Sequence, residues 1–246
     1  MWLGILCIGA GVGFTAGLFG KGGSAIATPL LHLVGVPALV AVAAPLPATI
    51  PSTVAAARPY WRADAIDWRL VRISVVAGAP AAVVGAVLTR WVDGSALVRV
   101  TDALIAIIGV RLLLTGRRPA PTVAKAIAGD PLRRSIAVGI VVGITSGLLA
   151  NSGGFLLAPL YLSVLHRPIR TAFGSSLAVA AVLAVPGTIV HAALGHIDWK
   201  IVLLFGVAAV PLSALGARVA LRVEPSRLER GYGAVLVLLG GAFLLS

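Results

Sequence analysis

Two short segments rich in glycine carry the residue types that could bind an anion. Residues 20–23 read Gly-Lys-Gly-Gly, and residues 151–154 read Asn-Ser-Gly-Gly. Glycine permits a sharp reversal of the chain and lets the backbone approach a ligand closely. A short apolar run follows each segment, which predicts a short helix beginning near Ser24 in one case and near Phe155 in the other.

The start of such a helix offers unpaired backbone N–H groups and the positive end of the helix dipole. In an apolar protein these groups point to a place where water is scarce, and an anion is their natural occupant. We expect the two helix starts to face each other and to hold one substrate between them. The candidate binding residues are Gly20, Lys21, Gly22, Gly23, Ser24, Asn151, Ser152, Gly153, Gly154, Phe155, Ser175 and Ser176.

Several of these residues also have a purely structural interpretation. A lysine deep in an apolar segment is costly and indicates a functional site, although Lys21 could instead extend to water from a shallow hairpin. Asn151 lies near the matching position of the second segment, so the site would be asymmetric. Gly13 and Gly17 are better explained by close packing of helices.

Hydroxyl side chains in or near the apolar runs could donate hydrogen bonds to an oxyanion. Such residues more often bond the carbonyl one turn back on their own helix, and for each one singly we prefer that interpretation. They are Ser52, Thr53, Ser175 and Ser176.

The two glycine-rich segments belong to two copies of one unit. Gly17, Gly23 and Pro29 recur at a constant spacing as Gly147, Gly153 and Pro159, and Ile-Asp-Trp occurs at 66–68 and again at 197–199. In an apolar chain, paired segments interrupted by glycine or proline are typical of secondary transporters and their binding sites.

The composition excludes an ordinary soluble domain. Mean hydropathy is +1.04, 59% of the residues are hydrophobic and only 11% are charged, so most of the chain is expected to face lipid. The basic residues that give the net charge of +12 lie in short loops. This favours a role in orienting the protein in a membrane over a role in binding nucleic acid. The single Cys7 excludes an intrachain disulfide.

Two topologies compete for the segments that follow the glycines. Residues 24–35 and 154–165 are too short to cross a bilayer, which needs about 20 residues. Each segment either completes a broken crossing, giving four crossings per half, or forms a re-entrant hairpin, giving three. The hairpins place nearly all basic residues on one side, with Arg90, Arg99 and Lys200 on the other, and this agrees best with the positive-inside rule.

We therefore predict an all-α, multi-pass membrane protein made of two inverted repeats. Each repeat has a re-entrant helical hairpin broken by glycine and about three transmembrane helices. Residues 1–115 form the first repeat, the Pro-rich basic segment 116–134 forms a cytoplasmic connector, and residues 135–246 form the second repeat.

The sequence shows no pattern typical of a catalytic, metal-binding or cofactor-binding site. No nucleophile, base and orienting residue form a recognisable set, so we predict no catalytic residue and no enzyme. His32, His166, His191 and His196 have no convincing metal spacing, so neither a metal nor a cofactor is expected. The segment around Lys21 is not a phosphate-binding P-loop, because Thr15 and Gly22 stand where that motif requires glycine and a hydroxyl residue.

The chain resembles the TauE/SafE family of sulfite-exporter-like permeases over nearly its whole length. The resemblance rests on the two Gly-rich segments ending in Pro-Leu, on residues 174–177 (Gly-Ser-Ser-Leu), and on His191 followed by residues 195–199 (Gly-His-Ile-Asp-Trp). The chain departs from the family pattern at Asn151-Ser152, where part of a second glycine run is usual, and at Ala44-Pro45.

The resemblance implies transport of sulfite, an organosulfonate or a related anion across the bacterial inner membrane. We expect a permease that works by alternating access, with a small anion and the lipid bilayer as its partners. A passive anion channel and a non-transporting membrane scaffold are the alternatives. A channel would more commonly have a lining ring of polar residues than two local breaks.

Overall fold

The computed structural model describes residues 2–20, 24–92, 130–149, 152–228, 230–232 and 234–235. This part of the chain is all-α, as predicted, and contains no strand. Its helices are α1 (Trp2–Phe19), α2 (Ser24–Leu33), α3 (Ala38–Ala43), α4 (Pro45–Arg62), α5 (Trp68–Leu88), α6 (Pro131–Leu148), α7 (Gly154–Ser163), α8 (Ile169–Ala193) and α9 (Trp199–Arg222), with a 3₁₀ turn at Thr89–Trp91 and further helical residues at 225–228, 230–232 and 234–235.

Five stretches among the described residues are long and apolar enough to cross a membrane. The prediction of a polytopic α-helical protein is therefore confirmed. The five stretches are Trp2–Phe19, Ala38–Arg62, Trp68–Leu88, Ile169–Ala193 and Trp199–Arg222.

Aspartates begin three of the helices. Oδ1 of Asp67 accepts a hydrogen bond of 3.0 Å from the N–H of Leu70 at the start of α5. Asp198 plays the same part for α9, since its Oδ1 lies 2.8 Å from the N–H of Lys200. The repeated Ile-Asp-Trp sequence is therefore a helix-capping signal in both halves.

The connector predicted at 116–134 lies mostly outside the described residues. Its last residues belong to α6, which begins at Pro131 because Asp130 caps it and proline suits the first helical position. The helix thus starts four residues before the predicted boundary at 135.

Proline also interrupts a helix of the first half at a position where the corresponding helix of the second half is continuous. α3 ends at Ala43 and α4 begins at Pro45, while the corresponding helix α8 runs unbroken through Pro186. Proline cannot donate the backbone hydrogen bond that would continue a helix, which explains the break.

Glycines on α1 bring it into close contact with α9. A methyl group on Gly13 would overlap the carbonyl of Ala209, and one on Gly17 would overlap that of Ser213. The packing role predicted for these glycines is confirmed. The contacts advance together along both chains, so α1 and α9 run in the same direction.

The other half contains the reciprocal pair, α6 and α5. A methyl group on Gly143 would overlap the carbonyl of Gly78, and one on Gly147 would overlap that of Ala82. These two helices also run in the same direction. α1 corresponds in sequence to α6, and α9 to α5, so among the described residues each half packs its first helix on the last long helix of the other.

The broken helix α4 and its counterpart α8 run in opposite directions. Gly174, near the start of α8, packs against Ala65 beyond the end of α4, while Gly187 near the other end of α8 packs against Leu46. α4 and α8 occupy corresponding positions in the repeated sequence, and they pack side by side in opposite directions.

The remaining contacts relate these pairs to one another. The hydroxyl of Ser213 in α9 donates a 2.8 Å hydrogen bond to the carbonyl of Ser52 in α4, and Gly206 lies beside Ala48. α4 and α9 therefore run in the same direction. Likewise α5 and α8 share one direction, since their first residues meet near Ser175 and they meet again further along, where Gly78 lies beside Leu183.

The chain must therefore reverse after each glycine-rich segment. α1 and α4 run in the same direction, so the chain between them, which contains α2, returns towards the end where α1 began. α6 and α8 are also parallel, and α7 provides the return between them. This is the chain path of two helical hairpins.

Candidate functional site

The first glycine-rich segment begins where α1 ends against α8. Gly20 has a φ of +62°, and a side chain on it would overlap Phe173. The carbonyl oxygen of Gly20 accepts a hydrogen bond from the hydroxyl of Ser176. The structure thus brings together two predicted site residues that lie far apart in the sequence.

The residues that follow Gly20 bear directly on the site prediction. Lys21, Gly22 and Gly23 lie outside the described residues, and Ser24 is the first residue of α2. Phe19, at the end of α1, stacks on Tyr232 with ring centroids 5.4 Å apart, and Phe173 meets Tyr232 edge-on at the same distance. An aromatic cluster therefore lies beside the end of α1 and Gly20.

The second glycine-rich segment lies inside the protein. Asn151 is outside the described residues, while Ser152, Gly153, Gly154 and Phe155 are all buried. Gly153 has a φ of +70° and stands immediately before α7, a backbone conformation that suits glycine. The short helix α7 therefore begins in the interior, as the sequence predicted for a helix following the glycines.

α6 forms the wall beside this helix start. A side chain on Gly153 would come within 2.6 Å of Cγ1 of Val142 and 3.1 Å of Cβ of Ser146. Ser146 was not among the predicted site residues. The signal that could have identified it is its place in the repeat, where the first copy has Ala16.

Gly20 at the end of α1 and Gly153 at the start of α7 have different neighbours. Gly20 contacts α8 near Ser176, whereas the α6 residues that hold Gly153 lie level with Gly78 of α5 and so with Leu183 of α8. At 1.5 Å per residue, Gly20 and Gly153 differ in position along α8 by roughly 10 Å.

The predicted hydroxyl residues of α8 join different parts of the chain. Ser176 bonds both the Gly20 carbonyl and, at 2.9 Å, the carbonyl of Phe173 one turn back. The oxygen of Ser175 instead accepts a 2.9 Å hydrogen bond from the backbone N–H of Asp67.

The hydroxyls of α4 behave as the sequence suggested. Ser52 donates to the carbonyl of Ala48 and Thr53 to that of Thr49, each at 2.7 Å. Both bonds run one turn back along the helix, so the preferred structural interpretation of these two residues is confirmed.

A basic cleft of about 480 Å³ opens at the start of α8. Arg167 lies 3.0 Å from Oδ2 of Asp67, and Nη2 of Arg170 donates to the carbonyl of Val223 at 3.1 Å. Sequence reasoning treated these arginines only as topology signals. The cleft is lined by Leu162, His166, Arg167, Pro168, Ile169, Arg170 and Pro225.

Two of the four histidines meet at the opposite end of α8. Nδ1 of His191 lies 3.2 Å from Nδ1 of His196, so one ring must donate and the other accept when both are neutral. His196 lies in the turn after α8, and its burial lowers its pKa below the usual 6.5. No group of three or more potential metal ligands occurs among the described residues.

One contact of His191 resembles a contact in the first half. The carbonyl of Gly147 lies beside the ring of His191, and the hydroxyl of Tyr60 donates to the carbonyl of Gly17 at 3.3 Å. Tyr60 and His191 occupy corresponding positions of the repeat, as do Gly17 and Gly147. The two halves thus repeat one contact with different side chains.

Comparison with known proteins agrees with this architecture. Residues 5–243 match the model of the family described as "Sulfite exporter TauE/SafE". A "Probable membrane transporter protein" of Xylella fastidiosa (strain 9a5c) is 33% identical over 95% of this chain and 92% of its own length.

More distant relatives have the same extent. The "Probable membrane transporter protein YunE" of Bacillus subtilis (strain 168) is 23% identical, covering 96% of this chain and 94% of the relative. No solved structure matches the chain significantly. Together with its membrane-length helices, the family match shows that this chain is a multi-pass membrane transporter belonging to the sulfite exporter TauE/SafE family.

Proposed function

We propose that the protein is a secondary transporter that moves a small anion, namely sulfite, an organosulfonate or a related sulfur-containing anion, across the bacterial inner membrane by alternating access. The observation that carries the proposal is the start of α7 in the protein interior, directly after Gly153. A buried helix start offers N–H groups that a negative ligand satisfies. The sulfur-containing substrate follows the description of the family.

The energetic argument favours an anion over a cation. An anion at a helix start gains about 0.3–1 kcal/mol from the dipole, and up to ~2 kcal/mol where the site is partly buried. A cation would be repelled there by a similar amount. The proposed substrate-binding residues are those at the two breaks and on the adjacent part of α8: Gly20, Lys21, Gly22, Gly23, Ser24, Asn151, Ser152, Gly153, Gly154, Phe155, Ser175 and Ser176.

We further propose that the two halves are inverted copies, with the hairpins re-entrant rather than crossing. The antiparallel course of α4 and α8 supports this, because they are corresponding elements of the repeat. The parallel course of α6 and α8 supports a hairpin, since α7 has only 10 residues in which to return. The halves are 1–115 and 135–246, joined by a cytoplasmic connector.

Alternating access requires two elements that move relative to each other around a site. The break between α3 and α4 at Pro45 and the glycine-rich segments provide places where the backbone can bend. α1 packs closely on α9 and α6 packs closely on α5, so each of these two pairs would move as a unit relative to the other.

The test is transport by the purified protein in liposomes. Radiolabelled sulfite uptake should saturate and should accelerate when unlabelled sulfite is present on the far side. Lys21→Ala should lower the rate and Lys21→Arg should retain part of it, while Lys200→Ala, at an exposed position, should behave like the wild type.

Other outcomes would identify the alternatives. Uptake that rises linearly with concentration, without acceleration from the far side, would indicate a channel. Absence of flux for sulfite and for methanesulfonate with a folded protein would refute the substrate class. Full activity of Lys21→Ala would show that this lysine only extends to water.

A further inference from the structure

One hydroxyl group in the protein interior has no hydrogen-bond partner among the described residues. Ser146 is 1% exposed, and its Oγ meets neither a backbone carbonyl nor another polar side chain. An unsatisfied buried hydroxyl is unfavourable, because the group loses its bond to water and gains nothing in return. Such a group calls for an explanation.

Other hydroxyls on the same helix do not behave in this way. Thr145, the preceding residue, donates to the carbonyl of Val141 at 2.8 Å, and Ser135 donates to that of Pro131 at 2.9 Å. This is the usual arrangement for a hydroxyl within a helix. Ser146 therefore lacks the hydrogen bond to the preceding turn of the helix that Thr145 and Ser135 make.

Its position explains where the free hydroxyl can act. Val142 and Ser146 lie one turn apart on α6, and both face Gly153. Because Gly153 has no side chain, Val142 and Ser146 lie next to the start of α7. Gly153 offers no side chain to cap this 10-residue helix. A buried donor without a partner thus borders a buried helix start.

We propose that Ser146 donates a hydrogen bond to a small oxyanion held at the start of α7, together with the N–H groups of that helix. This inference rests on the proposed function and adds a residue to its site. Ala16 stands at the corresponding position of the first half, so the hydroxyl belongs to the second break alone. The two breaks then differ in chemistry, with a lysine at the first and a neutral donor at the second.

The experiment measures binding of sodium sulfite and of sodium methanesulfonate to the purified whole protein by calorimetry. Removing a hydrogen bond to a charged ligand should weaken binding, so Ser146→Ala should raise the Kd of the bound anion roughly 10- to 100-fold. The thermal stability of the anion-free Ser146→Ala protein should equal or exceed that of the wild type, since the variant removes an unsatisfied polar atom. Thr145→Ala is the matched control, and its Kd should stay at the wild-type value.

Each result separates this inference from the proposed function. If the wild type binds an anion and Ser146→Ala binds it equally well, the role of Ser146 is refuted while the transporter proposal stands. An equal loss of affinity in Thr145→Ala would attribute the effect to α6 as a whole and also refute it. If the wild type binds neither anion, the proposed substrate class fails, and the inference fails with it.

Discussion

The backbone N–H of Asp67 donates a hydrogen bond of 2.9 Å to the hydroxyl of Ser175, and this bond joins the corner between α4 and α5 to the first turns of α8. The carboxylate of the same aspartate caps α5 through Leu70 and pairs with Arg167 at 3.0 Å. A single residue thus connects two helices of the first half with one of the second.

We predict that Asp67→Ala destabilises the protein more than Asp198→Ala does. Both changes remove a helix cap, at a cost of about 1 kcal/mol. Asp67 also loses its partly exposed ion pair with Arg167, which adds up to about 1 kcal/mol. Thermal unfolding in detergent would measure the difference, and equal shifts for the two variants would contradict the prediction.

The close packing of α1 on α9 leads to a second prediction. Gly17→Ala should strongly reduce the yield of folded protein, because the added methyl group would overlap the carbonyl of Ser213. Gly11→Ala, on the same helix, has open space around the new methyl group and should fold normally. Size-exclusion profiles of both variants provide the measurement, and a normal profile for Gly17→Ala would refute this view of the interface.

The antiparallel course of α4 and α8 predicts the sidedness of two loops. In a Cys7→Ser background, Ala63→Cys at the end of α4 and Lys200→Cys beyond the end of α8 should react with an impermeant thiol reagent from opposite sides. Ala63→Cys should face the cytoplasm, the side to which the positive-inside rule assigns the basic residues around it. Labelling of both from one side would exclude inverted repeats.

The histidine pair predicts a dependence of stability on pH. Burial lowers the pKa of His196 below 6.5, so beneath that pH the unfolded chain binds a proton that the folded protein does not. The histidine therefore reduces stability as the pH falls below about 6.5, and has no such effect above it. The melting temperature should fall between pH 7.5 and pH 5.5.

Two variants test whether His196 causes the dependence of the melting temperature on pH. His196→Asn should make the pH dependence shallower, whereas His166→Asn, at an exposed position, should leave it unchanged. A slope in His196→Asn equal to that of the wild type would show that another group is responsible.

Periodic and local signals explain why so much of the fold could be predicted. Apolar runs of membrane length, interrupted by glycine and proline, define helices because a bilayer leaves no other partner for backbone polar groups. The recurrence of Asp67 as Asp198 and of Gly17 as Gly147 showed the duplication. The sequence alone therefore determined an all-α membrane protein with two related halves, and helices that begin close to the predicted positions.

Tertiary structure alone decided which half each helix packs against and which buried polar groups find a hydrogen-bond partner. The sequence could not show that α1 packs on α9 rather than on a helix of its own half, because glycines indicate a close helix contact but do not specify which helix is the partner. Ser175 and Ser146 illustrate the same limit. Both are hydroxyls in apolar helices, yet one bonds Asp67 and the other has no partner among the described residues. That difference depends on which groups lie opposite, and long-range packing alone brings those groups together.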